Sequence, residues 1–193
     1  MYSLGMSSTN NGTQIGRVVQ TYYDRICEAT GVISKVGPGL FLSGAPSRSA
    51  APELRRLGVK NVLSVARECH DEWIGYECDL QLAHLGFRDH VAMPPWLAVQ
   101  AVRTLDAMMR NGPTLVHCGI GVSRSPTVIA LWWWATGRTT SHVEGVAKLR
   151  RLRPCVAPNA IVDEAVLAAV GRLRKAWTRG REKNRKGGQA AGA

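Results

Sequence analysis

Hydrophobic positions along this chain switch between a strand-like and a helix-like pattern, and the switches outline its elements. Gln14 to Thr30 has apolar residues at helical spacing (Ile15, Val18, Val19, Tyr22, Ile26) and stops at Gly31, which predicts a peripheral helix. Val32–Ser34 and Leu40–Leu42 flank Gly37-Pro38-Gly39 and read as two short strands around a turn. Ser49 is placed to cap a short helix ending at Leu57 before Gly58. Val59 to Val65, rich in apolar and β-branched residues, reads as a buried strand. Glu68 to Asp79 is polar and acidic, with Trp73 and Tyr76 at helical spacing, and predicts a loop holding a short helix. Leu80 to Leu85 reads as a further strand, followed by the polar stretch Gly86–His90.

Two prolines, Pro94 and Pro95, then mark a boundary, and Trp96 to Met109 is a strongly amphipathic helix ended by Asn111-Gly112. Thr114-Leu115-Val116 is a strand and Thr127 to Leu131 a helix. After Gly137 the pattern Ser141-x-x-Glu144 is a capping box that opens a helix over His142–Leu152. Asn159, behind Pro158, is placed to cap the last helix, whose apolar face includes Ile161, Val166, Val170 and Leu173. Strands alternating with helices predict an α/β fold, a central mostly parallel mixed sheet flanked by helices. The expected organisation is a lead and peripheral helix over 1–31, a catalytic domain over 32–178 and a basic, disordered tail over 179–193.

Between strand 114–116 and helix 127–131 lies His117-Cys118-Gly119-Ile120-Gly121-Val122-Ser123-Arg124-Ser125-Pro126. A buried strand that breaks into a glycine-containing loop and then starts a helix is a ready anion site, with amides turned inward and a helix N-terminus behind them. That field, with a cationic neighbour, favours thiolate at Cys118, the candidate nucleophile. Arg124 supplies a planar clamp that can hold two phosphoryl oxygens at once. The amides of Gly119, Ile120, Gly121, Val122, Ser123 and Arg124 are the expected cradle, and Gly121 relieves crowding in so tight a loop. Ser125 is close enough in sequence to donate a hydrogen bond to the sulfur, and His117 is assigned to support of the loop rather than to proton transfer. The reaction also needs a proton donor. Asp89 has the best context among the six aspartates, a loop at the carboxyl edge of the sheet just ahead of a Pro-Pro helix start. Asp71 and Asp79 are its rivals.

His117-Cys118, five residues, then Arg124-Ser125 resembles the motif of the cysteine-based protein tyrosine phosphatases, and HCGIGVSRSP is similar to their dual-specificity branch. The likeness continues through Gly39–Gly44, Leu57–Val65, Asp89 (29 residues before Cys118), Arg153-Pro154 and Pro158-Asn159, and so covers about Val32 to Leu173. The resemblance implies metal-free and cofactor-free hydrolysis of phosphotyrosine, often with phosphoserine or phosphothreonine. It implies the same roles for Cys118, Arg124, Asp89 and Ser125. The sequence departs from the branch in three places. Ile120 replaces a common alanine, Ser64 an asparagine whose hydrogen bond beneath the loop it alters, and Trp132-Trp133-Trp134 a milder apolar stretch. Three consecutive tryptophans cannot share one helix face, so at least one must be exposed or meet another element.

Composition narrows the remaining choices. At 193 residues, 45% hydrophobic and 20% charged, the chain fits one domain. It has no apolar run long enough to span a membrane and no leader pattern, so a cytoplasmic location is expected. Five cysteines (Cys27, Cys69, Cys78, Cys118, Cys155) at irregular spacing suggest neither a disulfide framework nor a metal site. They leave open a protective disulfide between Cys118 and Cys69, Cys78 or Cys155. Of the net charge of +11, +7 falls after Gly171, on Arg172, Arg174, Lys175, Arg179, Arg181, Lys183, Arg185 and Lys186 against Glu182. Such a tail fits an acidic protein, a nucleic acid or an anionic membrane surface. The expected substrate is a phosphorylated protein. The alternatives are an RNA 5′-phosphate or phosphoinositide handled by the same chemistry, and a non-catalytic phosphate-binding scaffold.

Overall fold

A computed structural model describes residues 31–158 and 162–190. The helix expected over Gln14–Thr30, Cys27 and the Asn159 cap lie outside the described residues.

Five strands form one sheet in the order β1-β2-β5-β3-β4: β1 Ser34–Gly37, β2 Leu40–Ser43, β3 Asn61–Ala66, β4 Gln81–Phe87 and β5 Thr114–His117. β1 is antiparallel to β2, and every other pairing is parallel. The mixed, mostly parallel sheet is therefore as expected. Six α-helices are described: α1 Ala51–Arg56, α2 Trp73–Cys78, α3 Pro95–Asn111, α4 Arg124–Ala135, α5 His142–Leu152 and α6 Glu164–Ala190.

Alternation along the strands sends side chains to two cores. Phe41, Val62 and Leu115 stand in register and pack with Leu54 of α1 and Ile74 of α2 on one face. Leu42, Leu63 and Val116, one residue on, meet α3, α4 and α6 on the other face. Both faces are covered, which is the usual condition of a parallel sheet. The carboxyl ends of β2, β5, β3 and β4 share one edge, and the chemistry-bearing loops leave from it.

Several local expectations are corrected. β1 begins at Ser34 rather than Val32, and β4 continues to Phe87. Ser49 caps nothing: it lies inside a 3-10 turn, Arg48–Ala50, and its hydroxyl meets that of Ser47 at 2.7 Å. α1 starts instead with Pro52 in its first turn, where a missing N–H costs nothing. The capping box on α5 is half regular. Glu144 N donates to Ser141 Oγ at 3.1 Å, but the Glu144 carboxylate reaches one residue further back, to the N–H of Thr140 at 2.6 Å. Asp163 caps α6, accepting from Val166 N at 2.9 Å. The helix α6 runs on past 179 through Ala190. Arginine and lysine are good helix formers, so a basic run can extend a helix already anchored by packing.

α4 is enclosed on nearly all sides, and its three tryptophans fan out to separate neighbours. Trp132 is buried with its Nε1 donating to Asp106 of α3 at 3.1 Å, and the Arg138 guanidinium lies 4.1 Å from its ring centre. Trp133 is buried beneath Lys148 of α5, and Trp134 lies against Gly171 and Arg174 of α6. All three thus meet other elements, each beside a cation.

Candidate active site

β5 ends at His117, and the chain turns through 118–123 before α4 begins at Arg124. Three carbonyls of the turn are pinned outward. Gly119 O accepts from Ala45 N at 2.9 Å, Gly121 O from Arg153 Nε at 3.1 Å, and Val122 O from Ala157 N at 2.9 Å. In a trans peptide the C=O of one residue and the N–H of the next point opposite ways. The N–H groups of Ile120, Val122 and Ser123 are therefore directed into the concavity, which builds an anion nest from neutral atoms. Gly121 is required for this path. Its φ is +69°, and a Cβ there would lie 2.4–2.6 Å from the backbone of Ser43 and Gly44.

Cys118 sits buried at the base of the turn, where the Ser125 hydroxyl donates to its Sγ at 3.2 Å. Arg124 is only 3% exposed, and Glu68 of the β3–α2 loop fixes its guanidinium. Nη1 donates to Glu68 Oε2 at 2.7 Å and to the carbonyl of Phe87 at 3.1 Å, while Nη2 donates to Glu68 Oε1. Burial works against the Arg124 charge, but Glu68, Cys118 and Asp89 outweigh it and leave its pKa raised. The hydrogen bond from Arg124 in turn holds the Glu68 carboxyl below its ordinary range. A guanidinium has five N–H donors, and three are committed here. The N–H of Nε and one on Nη2 remain, on one edge, which suits two oxygens of a phosphoryl group. Asp89 faces that edge, with Oδ2 3.6 Å from Nε and Oδ1 accepting from His90 N at 3.1 Å.

Beneath the turn lies a polar row set by strand register. Ser43, His117, Ser64 and His84 are successive neighbours across β2, β5, β3 and β4. Asp71, buried, leans in from the β3–α2 loop. Its Oδ2 is 2.7 Å from His117 Nε2 and its Oδ1 3.6 Å from His84 Nδ1. Burial pushes the Asp71 carboxyl up, but hydrogen bonding to His117 and Ser64 and the neighbouring imidazoles bring it down to about 2. Burial, with the carboxylates of Asp71 and Glu68, pushes the Cys69 thiol up to about 11, so it stays protonated. Cys69, Cys78, Cys118 and Cys155 are all free and buried.

The fold thus brings together Cys118, Arg124, Ser125, His117, Asp89 and the cradle residues from Gly119 to Ser123. The rival acids stand elsewhere: Asp71 is walled in below the turn, and Asp79 ends α2 in a left-handed conformation. Two site residues carried no assigned role in the sequence, Glu68 and Arg153, and Asp71 was weighed there only as a rival acid. Glu68 and Asp71 lay in the acidic stretch after β3, at the carboxyl edge, which was the available signal. Arg153, buried, donates to Val32 O and Ser34 Oγ as well as to the turn, and only its place before Pro154 set it apart. Among the described residues no group of His, Cys, Asp and Glu is arranged to hold a metal ion, and no helix is long and apolar enough to cross a membrane.

Residues 40–167 match the family model for the dual specificity phosphatase catalytic domain. Dual specificity protein phosphatase 26 of Bos taurus is 33% identical over 150 residues, covering 73% of this chain and 68% of that protein. Dual specificity protein phosphatase TpbA of Pseudomonas aeruginosa is 31% identical over 98 residues, covering 51% of this chain and 44% of that protein. Among solved structures, Tk-PTP in its active form aligns with a TM-score of 0.59 at 19% identity, covering 74% of this chain and 96% of that one. PTPMT1 in complex with PI(5)P aligns with a TM-score of 0.62 at 15% identity, covering 77% and 98%. At those identities the likeness is one of fold alone.

Proposed function

The chain belongs to the dual-specificity phosphatase family and is a protein phosphatase, and we propose that it dephosphorylates phosphotyrosine, with phosphoserine and phosphothreonine, in two displacements at Cys118. The observation that carries this reading is the open Nε/Nη2 edge of Arg124, poised on the same loop as a sulfur that Ser125 already contacts. A phosphoryl group fits with two oxygens on that edge and the rest on the inward amides. It displaces the Asp89 carboxyl from Nε towards the ester oxygen. Cys118 Sγ then attacks phosphorus, the phosphorus–oxygen ester bond breaks, and Asp89 gives its proton to the leaving oxygen. In the second step water attacks phosphorus, its proton passes to Asp89, and the sulfur–phosphorus bond breaks while Ser125 hydrogen-bonds the departing thiolate.

Apart from Arg124 the loop is uncharged, which suits a single phosphoryl group better than a polyphosphorylated headgroup or an RNA triphosphate. The four free thiols favour a reducing compartment, the cytoplasm, as its place of work. The basic side chains of α6 support an acidic docking partner. Cys118→Ser is expected to abolish turnover of a generic aryl phosphate, by ~10⁴-fold or more, while phosphate binding persists. Undiminished turnover by that variant would sink the mechanism. A panel of phosphotyrosine, phosphoserine and phosphothreonine peptides, phosphoinositide vesicles and 5′-phosphorylated RNA ranks the substrates.

A further inference from the structure

A cavity of about 520 Å³ opens beside the acid loop, between β4 and the first turns of α3. His84, Leu85, Gly86 and Phe87 all line it. Successive strand residues point to opposite faces, so a cavity bordered by four in a row runs along the outer edge of β4, the sheet's edge strand. That edge does not offer a regular ladder to another strand. The register with β3 shifts between Ser64 and Ala66, and a Cβ on Gly86 would lie 2.6 Å from the Arg67 backbone. A bulge of this kind blunts strand addition, leaving a groove for a side chain.

Its walls have one chemistry. Leu85, Val91, Pro94, Trp96 and Leu97 make it apolar, with Arg67 and Arg88 among its lining and no carboxylate. Trp96 is 66% exposed and Val91 is exposed beside it, a pairing that core packing does not explain. The groove also adjoins the phosphate site. Phe87, whose carbonyl fixes Arg124, lies in its wall, and Arg88 directly precedes Asp89.

We infer that this groove is a substrate subsite, taking a large apolar side chain from an acidic segment of the phosphoprotein, about two to four residues from the phosphorylated one. A spacing of a few residues suits a groove that begins at Phe87 and Arg88, next to Asp89 at the Arg124 edge, because extended chain advances ~3.3 Å per residue. The acidic context follows from Arg67 and Arg88. The inference rests on the phosphatase reading above.

The test compares an acidic phosphotyrosine peptide bearing leucine at the third flanking position, its leucine-to-alanine counterpart, a small aryl phosphate and phosphoinositide vesicles. Trp96→Ala is expected to raise KM for the leucine peptide roughly tenfold, with kcat retained and the alanine peptide little changed. Gln100→Glu, which sets a carboxylate on the groove wall, is expected to raise KM for the acidic peptide by about threefold. The aryl phosphate, too small to reach the groove, reports on the catalytic loop alone. Equal KM values for the two peptides in the unmodified protein, or a Trp96→Ala effect confined to the vesicles, overturns the subsite. Loss of aryl phosphate turnover in the unmodified protein overturns the phosphatase reading instead.

Discussion

The two sides of the phosphate site are built differently. On the β5–α4 side the polar side chains are buried and several groups are held: three carbonyls are pinned outward, Ser125 contacts the sulfur, and His117 lies 2.7 Å from Asp71. On the other side, built from the β3–α2 and β4–α3 loops, the groups are half-buried or exposed. The Glu68 side chain is 59% exposed, that of Asp89 26%, and His90 next to it takes φ 58°. One side is preorganised where charge develops on the transferring phosphoryl group, so little has to move when the reaction occurs. The other side is open to the arriving substrate, and in the proposed mechanism Asp89 leaves Arg124 for the leaving oxygen. The proposed nucleophile and phosphate cradle thus lie where the fold is most enclosed, and the proposed acid where it is more open.

That contrast is broken hardest from below. Asp71→Ala takes away the carboxylate 2.7 Å from the buried His117 imidazole, and leaving a buried polar group without its partner costs about 1–3 kcal/mol. Urea unfolding at pH 7 measures it. The pH dependence carries a sign. The Asp71 carboxyl titrates near 2 in the folded protein against an ordinary 3.8. Its contribution is therefore whole above about pH 4 and is lost as pH falls towards 2. The gap between the natural protein and Asp71→Ala should be constant from pH 5 to 8 and narrow in acid. A gap of under 1 kcal/mol at pH 7 would show that the enclosed side does not depend on this pair.

The same contrast explains what could be read from the residue order. The enclosed side is written in one contiguous string, from His117 to Pro126, because a strand, a turn and a helix start are local and the string encodes all three. Its supports are not local. Asp71 reaches His117 only because β3 and β5 are neighbours, and Arg153 reaches Gly121 from 32 positions away. No periodicity marks either. Ser49 has the chemistry of a cap but sits inside a 3-10 turn, where its side chain has no free helix N–H to accept. The tryptophans of α4 were legible as a conflict with a single buried face, but not as three contacts to α3, α5 and α6. The loop context of Asp89 made its position at the carboxyl edge legible, whereas its place on the Arg124 edge depends on where Phe87 and Glu68 hold that guanidinium.

On the more open side the larger effect is expected at Asp89. Asp89→Asn keeps the shape and removes the transferable proton, at a cost of roughly 10²-fold in kcat for a phenyl phosphate. With an aryl phosphate whose leaving group needs no proton, the loss should shrink to a few-fold. An equal loss with both substrates would make Asp89 a structural partner of Arg124 rather than the acid. Asp79→Asn, made in parallel, is expected to leave both rates unchanged.

The smallest effect separates clamp geometry from clamp charge. Glu68→Gln keeps one oxygen for Arg124 and removes the charge. Glu68 stands half in solvent while Arg124 is buried, so the pair is only partly screened and its loss should cost on the order of 1 kcal/mol of stability, with raised salt weakening the natural pair in the same direction. Activity is the more direct reading. If Glu68 serves to occupy Nη1 and Nη2 so that the Nε/Nη2 edge faces the cradle, a glutamine bonded through one oxygen lets the guanidinium rotate. The expected loss is then about fivefold in kcat/KM on an aryl phosphate, ~1 kcal/mol of transition-state binding, and Glu68→Ala should lose more. If Glu68 instead competes with the phosphate for its clamp, Glu68→Gln should lower KM and raise kcat/KM. The direction of that change decides whether the exposed carboxylate orients Arg124 or restrains it.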